Sequence, residues 1–516
     1  MSSSGELWAL PATEVLAKFR TKELSPVDYL EALTARIEAK DPDIGAVTEI
    51  LPEAIASARD AERFYLRTRA DELDDILAMR PLVGLPVIAK EKHAIAGHTL
   101  TQGLLHERRT IADKDAAVIR RIRDAGGYIH ARSTSPEFSC ATVTHSPMWG
   151  VTRNPWNPDL SPGGSSGGAG AALAAGFAPL ATASDIAGST RLPAAFTGTV
   201  GFKAPYGRVP GAPPLSADWY RGDGPMARTV ADTALLARVM VGLDPGDAAT
   251  IDSPDYLAGL DRTPAEVIES LRGLRVAVCL RLGDFPVGDD IVRNTRAVAA
   301  ALSFAEAEVE EIEMPWTSER LFETSATHFG AILAPAMRAA TAGHEDTLAD
   351  YTLQFMIDAE AVAARRSLYE GLIMEAEIQA ELTTAMAGFD ILLTPTSAVA
   401  ALQADASYLD GIRIGADGIG REGPGAGLRL EHYWQAHMTV PFNICNRVPV
   451  VNVPSGMADC GIPTGVQVVG RPFDDGTAFT VASAIELLRP WTGLAPELSA
   501  GRRADWLVEG DDPAPG

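Results

Sequence analysis

Lys90, Ser165 and Ser189 are the residues of this chain whose types and surroundings point most directly to chemistry. Both serines fall in residues 161–203, which carry glycine, alanine, serine and threonine at a density no other segment approaches. Two small-residue turns lie there, Gly163-Gly164-Ser165-Ser166-Gly167-Gly168 and Asp185-Ile186-Ala187-Gly188-Ser189, separated by an alanine-rich run and a short β-type run at 179–184. Glycine-dense turns bend sharply and let a ligand approach the main chain. Close to helix starts, such turns aim backbone N–H groups at developing negative charge, as attack on a carbonyl requires. The same composition also suits close packing of helix on sheet, and composition alone leaves both readings open.

Gly163-Gly164-Ser165-Ser166-Gly167 matches the G-x-S-x-G nucleophile elbow, a motif that needs a strand directly before its serine. Residues 154–162 are proline-rich (Pro155, Pro158, Pro162) and cannot form a central strand, so Ser165 is not expected to be an elbow nucleophile. Ser189 has better context: a strand at 179–184, a turn at 185–188, and a helix from Arg191 with Pro193 in its first turn. There the hydroxyl is exposed and neighbouring N–H groups converge on one point.

A serine nucleophile needs a base. Lys90 follows the apolar run Val87-Ile88-Ala89, which reads as a buried strand. A lysine at its end is either a solvated terminus or a partly desolvated amine whose lowered pKa suits a neutral base. The histidines (93, 98, 106, 130, 145, 328, 344, 432 and 437) stand in no recognisable catalytic context, and spacing does not choose between lysine and histidine. HExxH is absent; no metal or cofactor is expected.

These residues need a scaffold. Helix–strand alternation predicts an α/β fold, with strands at 127–131, 274–279, 389–396, 449–454 and 464–470. Helices are expected over 12–69, 116–125, 229–242, most of 318–387, and 477–488; Ser25-Pro26 is a helix-start signal. Residues 70–80 read as loop, 401–428 as a glycine-rich, irregular, mobile loop near the pocket, and about 509–516 as a disordered tail. No repeat or low-complexity linker divides the 516 residues, so one domain is expected.

With 44 basic against 68 acidic residues, the net charge of −24 argues against a nucleic-acid partner. Cys140, Cys279, Cys445 and Cys460 are dispersed, which suits reduced thiols. The N-terminus lacks the pattern of a secretory signal, and no apolar run reaches the ~18 residues of a membrane span. A cytoplasmic protein without a membrane partner is the expectation.

The segment PGGSSGGAGAALAAGFAPLATASDIAGSTRLPAAFTGTVGFK resembles the signature of the amidase signature family. LVGLPVIAKEKHAIAG resembles the family's lysine-bearing segment, and GPMARTVADTALL, FDILLTPT and VPVVNVPSG…IPTGVQVVGRPF resemble later blocks in the right order, over about 12–490. The resemblance implies a central mixed sheet flanked by helices on both faces, and catalysis by a Ser–cisSer–Lys triad. By position, Ser189 is then the nucleophile, Ser165 the serine with a cis peptide bond, and Lys90 the base. The oxyanion hole maps to the N–H groups of Ile186, Ala187, Gly188 and Ser189, with Gly164 flanking the cis serine. Asp185 and Arg191 look like the pair that holds the turn, and Ser139 falls where the family lines the pocket. Two departures stand out: the usual glycine pair before the nucleophile is Ala187-Gly188, and the usual Ser-Ile-Arg is Ser189-Thr190-Arg191.

The implied reaction is cleavage of a C–N bond in a small or aryl amide or a carbamate (urethane). The family also contains glutaminase subunits of tRNA-dependent amidotransferases, which commonly carry Gln where this chain has Leu192. A non-catalytic binding protein with the same fold is the third reading. The expected partner is a small-molecule substrate, and many relatives form homodimers.

Overall fold

The computed structural model describes residues 7–495, so the expected tail at 509–516 lies outside the described residues. Its frame is an eleven-stranded sheet. In chain order the strands are β1 (Val47–Ile50), β2 (Pro86–Lys90), β3 (Tyr128–Ser133), β4 (Leu180–Asp185), β5 (Val200–Lys203) and β6 (Gly222–Ala227). There follow β7 (Arg275–Val278), β8 (Glu308–Glu311), β9 (Ile391–Pro395), β10 (Val450–Met457) and β11 (Pro463–Gly470). Across the sheet they run β1-β3-β2-β4-β6-β5-β10-β11-β9-β7-β8. Strands β3-β2-β4 and β9-β7-β8 pair in parallel and the other neighbours antiparallel, which makes the sheet mixed.

Side-chain alternation buries both faces. Along β2, Val87 and Ala89 join one apolar cluster together with Val230, Leu236 and Met240 of the helix Val230–Met240. Ile88 joins another, built around Ala169, Ala171, Ala172 and Leu173 of the helix Gly167–Ala174. Lys90 shares the parity of Ile88, so the strand itself turns the lysine toward the helix that Ser165 and Ser166 precede. That helix is buried along its whole length. Its closeness to the helix Arg191–Thr197 depends on Gly170, where a Cβ would stand 2.9 Å from Thr197 Oγ1. The packing reading of this glycine-rich stretch is therefore borne out.

Several elements differ from the sequence expectation. Within the span read as helical, β1 pairs antiparallel with β3. Residues read as loop at 70–80 form the helix Ala70–Met79, with Asp71 and Glu72 in its first turn, where acidic side chains favour a helix start, and buried Leu73 as its anchor. The expected irregular loop at 401–428 is a small four-stranded sheet of Ala401–Leu402, Ile412–Ile414, Ile419–Arg421 and Leu428–Leu430. It is pinned because Leu402, Tyr408 and Ile412 pack with Val143 and Leu160, which precede the 161–203 stretch, and with Phe196 inside it. Ser25 caps the helix Pro26–Ile44 by accepting the Val27 N–H at 3.0 Å, as its Ser-Pro signal predicts. All four cysteines are free, and among the described residues no helix is long and apolar enough to cross a membrane.

Candidate active site

Lys90 ends β2 with no exposure to solvent. Its Nζ lies 2.8 Å from Ser165 Oγ, 2.9 Å from Ser166 Oγ and 3.0 Å from Ser184 Oγ. Among the described residues no carboxylate pairs with it. Burial lowers its pKa well below the ordinary lysine range, helped by Lys92, and Asp223 and Asp185 do not offset this. Nζ donates to all three hydroxyls; in the neutral amine one of these contacts reverses, the lone pair accepting a serine O–H.

The loop before the helix Gly167–Ala174 presents these serines. The Gly164–Ser165 peptide is cis. A Cβ on Gly164 would stand 2.5 Å from the Ala141 carbonyl oxygen, so the position has room only for glycine. Ser166 N–H donates to the Ser189 carbonyl at 3.1 Å, which ties the two serine turns together.

Asp185 organises the second turn. Its Oδ1 accepts from Gly188 N–H (2.8 Å), Arg191 Nη2 (2.9 Å) and Asn443 Nδ2 (2.9 Å). Its Oδ2 accepts from Arg191 Nε (3.0 Å) and Thr190 N–H (3.2 Å). Burial alone would raise the Asp185 carboxyl, but Arg191 and these hydrogen bonds outweigh it and hold the group well below the usual carboxylate range. The rest of the buried Arg191 fork donates to Thr439 O (2.9 Å), Gln467 Oε1 (2.6 Å) and Asn443 Oδ1 (2.6 Å).

This arrangement refines the expected oxyanion hole. Gly188 N–H is occupied by Asp185, whereas the N–H groups of Ile186, Ala187 and Ser189 make no hydrogen bond to another described residue. Gly188 contributes shape instead: its φ is +116°, and a Cβ there would lie 2.0 Å from Thr439 Oγ1. Ala187 needs no left-handed backbone, so alanine replaces the family's glycine without strain. Thr439 Oγ1 donates to Ala187 O at 2.6 Å and fixes that peptide.

Ser165 and Ser189 line one small pocket, of about 30 Å³. The Ser189 hydroxyl makes no hydrogen bond to a described residue and faces this space. One wall is apolar: Phe138, Phe329, Leu333, Phe355 and Trp434. Ser139 lies on the rim with Phe138, both in left-handed backbone (φ +59° and +51°). Thr142 Oγ1 meets His437 Nε2 at 2.5 Å, and burial pushes the His437 pKa down to about 3, which keeps its ring neutral.

The Amidase family model matches residues 28–479. An acylamidase from Rhodococcus erythropolis is 31% identical, the match covering 94% of this chain and 97% of that protein. The chain belongs to the amidase signature family. This amidase is also 30% identical to the 6-aminohexanoate-cyclic-dimer hydrolase of Paenarthrobacter ureafaciens, over 96% of its own length and 98% of that protein. One chain of the glutamyl-tRNA(Gln) amidotransferase from Persephonella marina is 28% identical over 96% and 100% of the two sequences. Among solved structures, a bacterial aryl acylamidase of the amidase signature family shares the fold at a TM-score of 0.80 and 24% identity, covering 96% of this chain and 99% of that one. The family match and the acylamidase and cyclic-dimer hydrolase relatives support an amidase, a hydrolase of amide C–N bonds.

Of the residues expected by position, Ser139, Gly164, Ser165, Asp185, Ile186, Ala187 and Ser189 line the pocket, and Lys90, Gly188 and Arg191 are hydrogen-bonded to them. Sequence reasoning missed Ser166 and Ser184 as partners of Lys90, although each neighbours a residue it singled out. It also missed Phe329, Phe355, Trp434, His437, Thr439, Asn443 and Gln467. These arrive from distant helices, turns and strands, and no local pattern marks them.

Proposed function

We propose that this amidase cleaves the C–N bond of small amides, aryl amides or carbamates (urethanes) through an acyl-enzyme on Ser189. The observation that carries the reading is a fully buried amine, Lys90, 2.8 Å from the Ser165 hydroxyl and without a carboxylate partner among the described residues. Ser189 Oγ attacks the carbonyl carbon; its proton passes to Ser165 Oγ, whose own proton passes to Lys90 Nζ. The oxyanion faces the unoccupied N–H groups of the Ile186–Ser189 turn. The amine departs with the proton returned along the same path, and water then repeats the sequence to free the acid.

An aromatic wall supports an apolar or aryl acyl group, and the names of the acylamidase and cyclic-dimer hydrolase support an amide. Leu192 lines the pocket where glutaminase subunits commonly carry Gln, which disfavours glutamine as substrate. The unbroken eleven-stranded sheet supports one amidase domain, and the free cysteines support a cytoplasmic setting. Light scattering after gel filtration tests a homodimer.

The activity test is amine release from p-nitroacetanilide and from an aryl carbamate. Release by the wild type and none by Ser189→Ala is expected. No release by the wild type, or equal release by the variant, overturns the proposal.

A further inference from the structure

A second cavity, of about 450 Å³, is lined by the loops that include Leu100, Ile111, Pro210, Pro213 and Leu215. Lys92 and Arg221 line both this cavity and the serine pocket, so these cations are the border the two spaces share. Their situations differ. Lys92 Nζ is paired with Asp223 Oδ1 at 3.5 Å, and His93 Nε2 lies 3.2 Å from the same oxygen. Arg221, by contrast, has its main chain fixed by donation from its N–H to Asp218 O (3.1 Å), while its guanidinium makes no hydrogen bond to a described residue.

Its Nε is buried without an acceptor, and the nearest carboxylate oxygen, Asp218 Oδ2, stands 4.0 Å away, beyond hydrogen-bond reach. Asp218 Oδ1 accepts from Tyr220 N–H (3.0 Å) and is bonded to His328 Nε2 (2.7 Å), while its Oδ2 has no hydrogen-bond partner among the described residues and meets Arg221 only as this long ion pair. A planar fork of donors thus borders the shared space with none of its hydrogen bonds made. That geometry matches a carboxylate.

We propose that Arg221 binds a carboxylate on the amine portion of the substrate, so that the enzyme favours N-acyl amino acids and N-acyl aminobenzoates over neutral amides. The proposal rests on the acyl-enzyme reading above. In that sequence the amine must leave while the acyl group stays on Ser189. The acyl group therefore takes the aromatic pocket, and the amine takes the cavity beyond Arg221, which offers a separate way out.

Two measurements test it. The first compares kcat/KM for 4-benzamidobenzoate and benzanilide, which share an acyl group and differ by the carboxylate. A charge-assisted pair predicts a wild-type preference of about tenfold or more for the carboxylated amide. Arg221→Met removes the preference and Arg221→Lys restores part of it. The second is calorimetric binding of 4-aminobenzoate, the amine product, which needs no turnover. It binds the wild type about tenfold more tightly than Arg221→Met. A wild type without the preference, a preference kept by Arg221→Met, equal affinity in the two proteins, or no binding overturns the assignment. Hydrolysis of both amides at equal rates defeats this proposal and leaves the hydrolase reading intact. Arg221-dependent binding without hydrolysis does the reverse.

Discussion

Asp185→Asn is nearly isosteric, yet it attacks the turn that carries Ser189 at its most connected point. Both carboxylate oxygens face donors only: Gly188 N–H, Arg191 Nη2 and Asn443 Nδ2 on one side, Thr190 N–H and Arg191 Nε on the other. Either orientation of the amide sets an NH2 against N–H groups, and the fully buried Arg191 loses its counter-charge. Breaking a buried pair of this kind costs about 3–5 kcal/mol. Urea unfolding monitored by tryptophan fluorescence measures the loss. The exposed pair Arg338–Glu360 provides the contrast, with Arg338→Met costing about 1 kcal/mol or less. Because the Asp185 pKa is depressed in the fold, its stabilisation is fully present above the unfolded carboxyl value of about 3.9. The gap between wild type and variant therefore holds from neutral pH to about pH 4 and narrows as pH falls further. Activity falls as well, by roughly 10²-fold or more, if the turn no longer presents its N–H groups. A variant within about 1 kcal/mol of wild type and equally active refutes the reasoning.

Gly188→Ala places a methyl carbon 2.0 Å from Thr439 Oγ1 at a left-handed backbone position. The protein loses at least about 1–3 kcal/mol from the backbone alone, read by thermal unfolding, and Thr439→Ala added to it recovers only the steric part. Lys90→Arg keeps a cation but cannot supply a neutral amine, so kcat/KM for p-nitroacetanilide drops by roughly 10³-fold or more. Phe329→Ala, on the apolar wall, raises KM for a benzoyl amide more than for an acetyl amide, measured as the ratio of the two kcat/KM values.

The turns of the candidate site were largely legible because they are local, and the roles of their residues came from the family resemblance. Gly163 to Gly168 and Asp185 to Ser189 are short turns of small residues, and Lys90 closes a short apolar strand. What escaped depends on chain crossings. Asn443, Gln467 and Thr439 reach Arg191 or its turn from about 250 or more residues away, and each is an ordinary polar residue in its own neighbourhood. The pocket wall escaped for the same reason, since Phe329 and Phe355 read locally as the buried faces of amphipathic helices. Hydrogen bonding also redistributed a role that position alone had assigned: Gly188 N–H goes to Asp185, not to the pocket. Glycine-rich 401–428 misled because its turn residues were read as an irregular, mobile loop, whereas they separate four short strands.

The central claim is that neutral Lys90 drives Ser189 through Ser165. Its most direct test is the rate of covalent labelling by a fluorophosphonate, followed by intact mass and peptide mapping across pH in wild type and Lys90→Ala. The account predicts a single label on Ser189. The rate rises with pH as Lys90 loses its proton and levels off well below the ordinary lysine pKa, and in the variant it collapses. A label on another residue, or equally fast labelling of Ser189 without Lys90, contradicts it.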